Sequence, residues 1–399
     1  MAESPWLTII GLGEDGPDGL SPATRETLAK ADVVMGARRH LDLLPGLGRR
    51  RIEWPVPFED GLPLLLEVRG QRVVVLASGD PFWFGAGSVI ARHLEPEEWI
   101  AQPGLSTFSL AAARLGWPLE STVTLGLHAA PLTRLRPHLA PGIKAIVLLR
   151  DGPAVAALAS WLDGSGFGAS TLHVMEALGG PRERVRTFTA DAPGVDDAAH
   201  PVCVGIEIAG DGPVLPLASG LPDETFETDG QITKRPMRAL TLSALAPRPG
   251  EHLWDIGGGS GSVAIEWLLR HPAMQATSIE PRPDRAERIQ RNADALGTDR
   301  LRIVTGTAPG ALQGLARPDA VFIGGGLSDG MLDWLTSHLP VGTRIVANAV
   351  TLESEALLCA AQARNGGDLM RIELAHAEPL GRKQAWRATY PVVQWSVTL

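Results

Sequence analysis

The segment Asp255-Ile256-Gly257-Gly258-Gly259-Ser260-Gly261-Ser262 follows an apolar run at 252–256 and opens a helical pattern at 263–270. Glycines at such a turn let the backbone approach a ligand and leave helix N–H groups free. Glu280 comes nineteen positions after Gly261, at the end of the next apolar run. A βαβ unit imposes that spacing, and it puts the carboxylate where ribose hydroxyls can donate to it. A dinucleotide fingerprint spaces its glycines as G-x-G-x-x-G around a pyrophosphate. Here Gly257, Gly259 and Gly261 lie two apart behind an acid, a spacing that does not favour NAD.

Three further glycine loops end apolar runs in the first half. They are 11–16, Ser78-Gly79-Asp80-Pro81 with Gly85 and Gly87 beyond, and Pro103-Gly104-Leu105-Ser106-Thr107. Open α/β sheets bind ligands in loops of this kind. Residues 11–16 also match G-x-G-x-x-G, but Pro17-Asp18-Gly19 intervenes before a helix near Ser21, so phosphates would meet no helix N-terminus. Gly326-Leu327-Ser328-Asp329-Gly330 matches the nucleophile elbow, with His338 or His376 as a base on paper. A hydrolase would leave the Asp255–Gly261 turn and Glu280 without purpose. No H-E-x-x-H, paired-cysteine or EF-hand spacing supports a metal, and no Gly-Lys-Ser/Thr follows a glycine run.

These loops need a scaffold of strands and helices in alternation, which the chain offers almost throughout. Strands are expected at 7–11, 73–77, 123–126, 143–149, 171–176 and 202–208, then at 252–256, 276–280, 301–305, 320–323 and 343–347. A helix is expected at 106–115, where Phe108, Ala111, Ala112 and Leu115 recur at helical spacing. Another is expected at 233–246, with Thr233 as cap and Pro236 in its first turn. The run 388–398 reads as an edge strand because of Pro391. Residues 209–231, rich in Gly, Pro, Asp and Glu, read as a linker between domains at 1–208 and 232–399. The fold class is α/β with parallel sheets, in two different domains.

Length and charge narrow the function. A chain of 399 residues suits two or three domains. The net charge of −9 argues against a nucleic-acid groove, which relies on Lys and Arg. Cys203 and Cys359 cannot form a disulfide framework and suit a reducing cytosol. No apolar run reaches the roughly 18 residues of a spanning helix, and Met1-Ala2-Glu3-Ser4-Pro5 lacks the basic start of a secretory leader. A soluble cytoplasmic protein is expected, with neither membrane nor nucleic acid as partner.

The loops in order resemble known families. The Gly-Asp-Pro and Pro-Gly-x-Ser loops resemble the tetrapyrrole (class III) methylases, and residues 10–16, 36–41 and 125–128 are similar to their CbiE branch. The Gly257–Gly259–Gly261 spacing behind Asp255 resembles the class I methyltransferases, and residues 229–235, 253–262, 308–309 and 321–326 are similar to the CbiT branch. Joined in this order, the halves resemble the decarboxylating methyltransferases of the CobL type in cobalamin synthesis. That resemblance implies S-adenosylmethionine as cofactor. Gly79, Asp80, Pro81, Gly104, Ser106, Thr107 and His128 would surround it in the first domain. Asp255, Gly257, Gly259, Gly261, Glu280, Thr307 and Ala308 would do so in the second.

It further implies methylation of a precorrin at carbon 5 by the first domain, and methylation at carbon 15 with loss of a ring-C acetate carboxyl in the second. Where amino-methylating enzymes carry Asn/Asp-Pro-Pro-Tyr, this chain has Asp319 to Gly326, ending in three glycines that leave room for a flat substrate. Thr307-Ala308-Pro309-Gly310 replaces Asp-Ala-Pro-Glu of the CbiT branch, and Ala129-Ala130 replaces Gly-Arg after His128. A polyanionic substrate facing an acidic protein needs local cations. The candidates are Arg38, Arg39, His40, Lys234, Arg235 and Arg238, with Arg382 and Lys383 behind them. Met175 and Glu176 are placed either at the first site or in the core. A homo-oligomer is expected. The alternative is a tandem methyltransferase whose second domain acts on RNA or protein.

Overall fold

β-branched and apolar runs make the buried strands. β1 (Leu7–Leu12), β2 (Val33–Gly36), β3 (Arg50–Glu53), β4 (Val73–Ser78) and β5 (Trp99–Gln102) form an all-parallel sheet in the order β3-β2-β4-β1-β5. β1 is buried along its whole length, as strands covered on both faces are. A second sheet contains β6 (Val123–Gly126), β7 (Lys144–Leu149), β8 (Thr171–Glu176), β9 (Arg184–Thr189) and β10 (Val202–Glu207), in the order β6-β7-β10-β8-β9. Only β6 and β7 pair in parallel there; the other pairs are antiparallel. The expectation of parallel sheets throughout is therefore corrected for this half, because short connections such as 177–183 can only turn the chain back on itself.

The computed structural model describes residues 5–46, 49–192 and 194–399; the first four residues, read above for a leader, lie outside these. The chain forms two compact units: Met1–Ala130 with His138–Pro213, and Pro131–Pro137 with Val214–Leu399. In the second unit β11 (His252–Ile256), β12 (Gln275–Glu280), β13 (Arg302–Thr305), β14 (Ala320–Ile323), β15 (Arg344–Ala349), β16 (Asp368–Ile372) and, beyond a separate hairpin of β17 (Ala375–Leu380) and β18 (Lys383–Ala388), β19 (Val392–Thr398) account for all strands. The seven-stranded sheet runs β13-β12-β11-β14-β15-β19-β16. β19 is antiparallel and lies between β15 and β16, so the terminal strand is internal and not at an edge. Pro391 precedes it and leaves the ladder intact.

Residues 214–231 are part of the second unit, with Leu221 and Phe226 in its core. Glu266, fully buried, accepts the backbone N–H groups of Gly220 at 2.7 Å and Leu221 at 2.8 Å. The following helix, Arg235–Leu245, starts one residue later than a Thr233 cap implies. Lys234 stands at its cap without a side-chain bond, and the Thr233 carbonyl accepts from Arg238. No helix of the described residues is long and apolar enough to cross a membrane.

Candidate functional site

In the first unit three glycine loops converge at the carboxyl edge of the parallel sheet. The Gly79 N–H donates to Leu12 O and the Gly104 N–H to Gly79 O, each at 3.0 Å. A Cβ on Gly11 would sit 1.8 Å from Gly79 O, so only glycine permits this approach. Beside the loops lies a cavity of about 650 Å³, within the range of small-molecule sites. Gly79, Asp80, Ser106, Thr107 and His128 line it, as do Arg39, His40 and Met175. Gly104 and Pro81 support the wall from behind: a Cβ on Gly104 would lie 2.9 Å from Gly11 O, and Pro81 is closely packed against Gly85 and Gly87. Asp80 turns its carboxylate to the Phe82 N–H at 2.8 Å, and Ser106 caps the helix Thr107–Leu115 through the Ser109 N–H at 3.0 Å.

One patch of the wall is charged. Glu14 takes Arg39 on one oxygen and Arg182 on the other, at 2.9 Å for the latter. Arg39 also donates to Ser78 Oγ at 2.8 Å, which sits 2.9 Å from His40 Nε2. His40 is buried and its Nδ1 has no partner among the described residues. Burial, then the neighbouring Arg39 and His200, push its pKa down to about 3, so the ring is neutral. His128, half-buried, is also lowered by burial. The remainder of the wall includes Trp54, Phe58, Trp83 and Phe84, with Trp83 and Phe84 packed against Phe108. Phe84 holds a φ of 56°, uncommon for a residue with a side chain. These aromatics, Glu14 and Arg182 escaped the sequence reading, although Phe82-Trp83-Phe84 directly after Gly-Asp-Pro was a visible signal.

In the second unit Gly257, Gly259 and Gly261 all have positive φ, at 76°, 60° and 75°. A Cβ on Gly257 would meet Gly325 N at 2.6 Å, and one on Gly261 would meet Ile289 at 2.7 Å. Glu280, 2% exposed, accepts from the Gly259 N–H at 2.9 Å and from the Arg282 N–H at 3.1 Å. The same carboxylate thus shapes the loop and keeps lone pairs for a ligand. Asp255 is buried, with Ser278 Oγ 3.4 Å away. Burial pushes its pKa up to about 7 and the nearby Glu280 adds to that, against the bonds from Ser278 and the Ala264 N–H. Ser260 Oγ is buried without a partner among the described residues. Gly324 and Gly326 are exposed, and a Cβ on Gly326 would meet nothing within 4 Å. The loop, the free hydroxyl and the open glycine face fit a nucleoside ligand. Thr307 is exposed and half-buried Ala308 packs on the core cluster nearby.

The cation candidates divide. Arg39 and His40 face the first cavity; Arg38 is 75% exposed near Asp42 and Glu53 and does not line it. Arg238 is corrected outright. Its side chain is fully buried, donating to Glu266 at 2.6 Å, Asp223 at 3.1 Å and the Leu221 carbonyl, so it braces the segment at 220–223 (the strap) and faces no ligand. Lys234 is exposed, 3.7 Å from Asp223, and Arg235 is exposed beside it. Arg382 and Lys383 lie on the exposed β17–β18 hairpin. Ser328 of the elbow match caps the helix Asp329–His338, His338 stacks on Trp334, and His376 lies on the exposed β17; no hydrogen bond joins Ser328 to either histidine among the described residues. Glu176 is buried under Arg184 and Arg186.

Residues 6–193 match the tetrapyrrole (corrin/porphyrin) methylase family and residues 224–399 the precorrin methyltransferase domain family. A precorrin-6Y C(5,15)-methyltransferase [decarboxylating] from Sinorhizobium is 50% identical, covering 99% of this chain and 97% of the relative. One of the same name from Mycobacterium tuberculosis is 41% identical, covering 98% and 99%. A solved C-terminal domain of a precorrin-6Y C5,15-methyltransferase from Rhodobacter capsulatus is 58% identical over 46% of this chain and 100% of that domain, with a TM-score of 0.45. The two full-length relatives do not favour an RNA- or protein-directed second domain. With identity at this level along almost its entire length, the chain belongs to the decarboxylating precorrin-6Y C(5,15)-methyltransferase family.

Proposed function

We propose that the chain transfers methyl groups from S-adenosylmethionine to carbons 5 and 15 of a precorrin and releases its ring-C acetate carboxyl as carbon dioxide. The first unit acts at carbon 5; the second acts at carbon 15 and on the carboxyl. The observation that carries this reading is the pair of glycine-built sites, one in each unit, at the carboxyl ends of parallel strands.

S-adenosylmethionine, when bound, supplies an electrophilic methyl group on a sulfonium. In the second unit the backbone of Gly257–Gly259–Gly261 and the carboxylate of Glu280 would hold its nucleoside, and Asp255 its ammonium. Binding that cation gives the Asp255 charge a partner, which reverses the effect of burial. Thr307 and Ala308 would border the base. In the first unit Gly79, Asp80, Ser106, Thr107 and His128 would surround the donor, with Gly104 and Pro81 setting the loops. Aligning an acceptor carbon with the methyl group is a matter of placement, which rigid strand-end loops provide. Excluding water from the carboxyl to be lost raises its energy relative to the delocalised product, and the conjugated ring takes up the electrons left behind. Lys234 and Arg235 would receive acidic arms of the ring at the mouth of the second site.

Mass spectrometry of the product from precorrin-6Y and S-adenosylmethionine tests this. The expected product has gained two methyl groups and lost one carbon dioxide. Methylation without release of labelled carbon dioxide would remove the decarboxylase half of the reading.

A further inference from the structure

A second cavity in the first unit, of about 390 Å³, shares His200 with the larger one. Glu176, Arg182, Glu183 and Arg184 contribute its charged wall. Most of that charge is already matched. Glu176 takes Arg184 and Arg186, and Arg184 also reaches Asp197. Glu183 is tied to Arg114 and to the Gly179 N–H.

Arg182 differs. Its side chain is 59% exposed, and among the described residues its guanidinium meets a single carboxylate oxygen, that of Glu14. The other Glu14 oxygen belongs to Arg39, a wall residue of the larger cavity. Two cations thus share one carboxylate that is itself 7% exposed, leaving a net positive charge where the two cavities meet. The backbone that carries Arg182 is fixed: a Cβ on Gly180 would lie 2.5 Å from Glu14 Cβ, so the loop is packed tightly on the β1 loop. A guanidinium with several N–H groups to spare, on a pinned backbone beside an open space, is suited to a planar carboxylate.

We propose that Arg182, backed by Glu14 and Arg39, is the subsite for one carboxylate arm of the substrate, the arm extending from the larger cavity into the smaller. This rests on the reading of the larger cavity as the carbon-5 methylation site. Arg39 and Glu14 set the guanidinium's position, and Arg182 makes the contact.

The test uses the full chain, with carbon-5 methylation followed for wild type, Arg182→Ala and Arg182→Lys. Arg72→Ala, which breaks only an exposed pair with Asp32, is the control. Arg182→Ala is expected to raise KM for the precorrin about 10–100-fold with kcat nearly constant, and Arg182→Lys to recover part of it. A methyl-esterified precorrin should bind wild type and Arg182→Ala alike. An unchanged KM for the acid substrate, with reduced thermal stability, would make Arg182 a tie between loops and overturn the proposal. If wild type itself leaves carbon 5 unmethylated, the reading of the cavity fails. Titration of precorrin against tryptophan fluorescence then decides the subsite by itself, and equal Kd for wild type and Arg182→Ala would overturn it.

Discussion

Asp255 and His40 are two buried titratable side chains pushed away from their ordinary pKa values in opposite senses for stability. For Asp255 the folded value is about 7 against 3.8. Between these the unfolded chain has lost its proton and the folded chain keeps it, so stability falls as pH rises through the window. Asp255→Asn is therefore expected to stabilise the ligand-free protein at pH 8 by about 2–4 kcal/mol, read by urea unfolding, while weakening binding of S-adenosylmethionine in calorimetry. A variant less stable at pH 8 would show that the carboxylate is well paired after all. For His40 the folded value is about 3 against 6.5. Here the unfolded chain binds the proton first, so stability present above pH 6.5 is lost on acidification, by about 1.4 kcal/mol per pH unit. His40→Gln should gain on wild type as pH drops from 6.5 to 4.5, and parallel acid limbs would contradict this.

At the scale of elements, the strap at 220–223 and the helix Arg235–Leu245 are joined by a buried ion pair to the helix Ser262–Leu269, which follows the glycine turn. Glu266 accepts from two strap N–H groups as well as from Arg238, so removal of the guanidinium leaves a buried carboxylate with those two backbone bonds and no countercharge. Arg238→Ala should cost about 3–5 kcal/mol in urea unfolding of the second unit. A loss confined to substrate KM at unchanged stability would return Arg238 to the substrate-facing role that its sequence position suggested. The glycine loop is held from both sides, by Glu280 on Gly259 and by Gly325 against Gly257. Its shape is therefore a property of three strand ends together.

The whole molecule carries two candidate sites, one in each unit, and their chemistry should separate. Gly261→Ala places a methyl group 2.7 Å from Ile289 at a φ of 75°, which the loop cannot accommodate without moving. It is expected to abolish carbon-15 methylation and carbon dioxide release while carbon-5 methylation persists, seen as a product with one added methyl and its carboxyl retained. Loss of both methylations would show that the second unit's site governs the first.

Glycine spacing, the acid after the next strand and the order of the loops were legible along the chain, because each is a local demand of a βα turn. The loops at 78–81 and 103–107 were legible for the same reason, whereas Ser106, read as the first residue of a helix, is its cap. What escaped depended on side-chain direction and on partners distant in sequence. Arg238 and Arg39 are alike as residues of short basic runs, yet one is sealed against Glu266 and the other opens on a cavity. β19 passed for an edge strand because a proline near its start says nothing of what lies on its far side. Glu14 and Arg182 are 168 positions apart and meet only because β1 and β8 end at the same cavity. Backbone geometry at a turn is set by neighbours in the chain, whereas burial and charge pairing are set by neighbours in space. The first determined the glycine loops and the family; the second alone decided which cations are sealed in ion pairs and which open on a cavity.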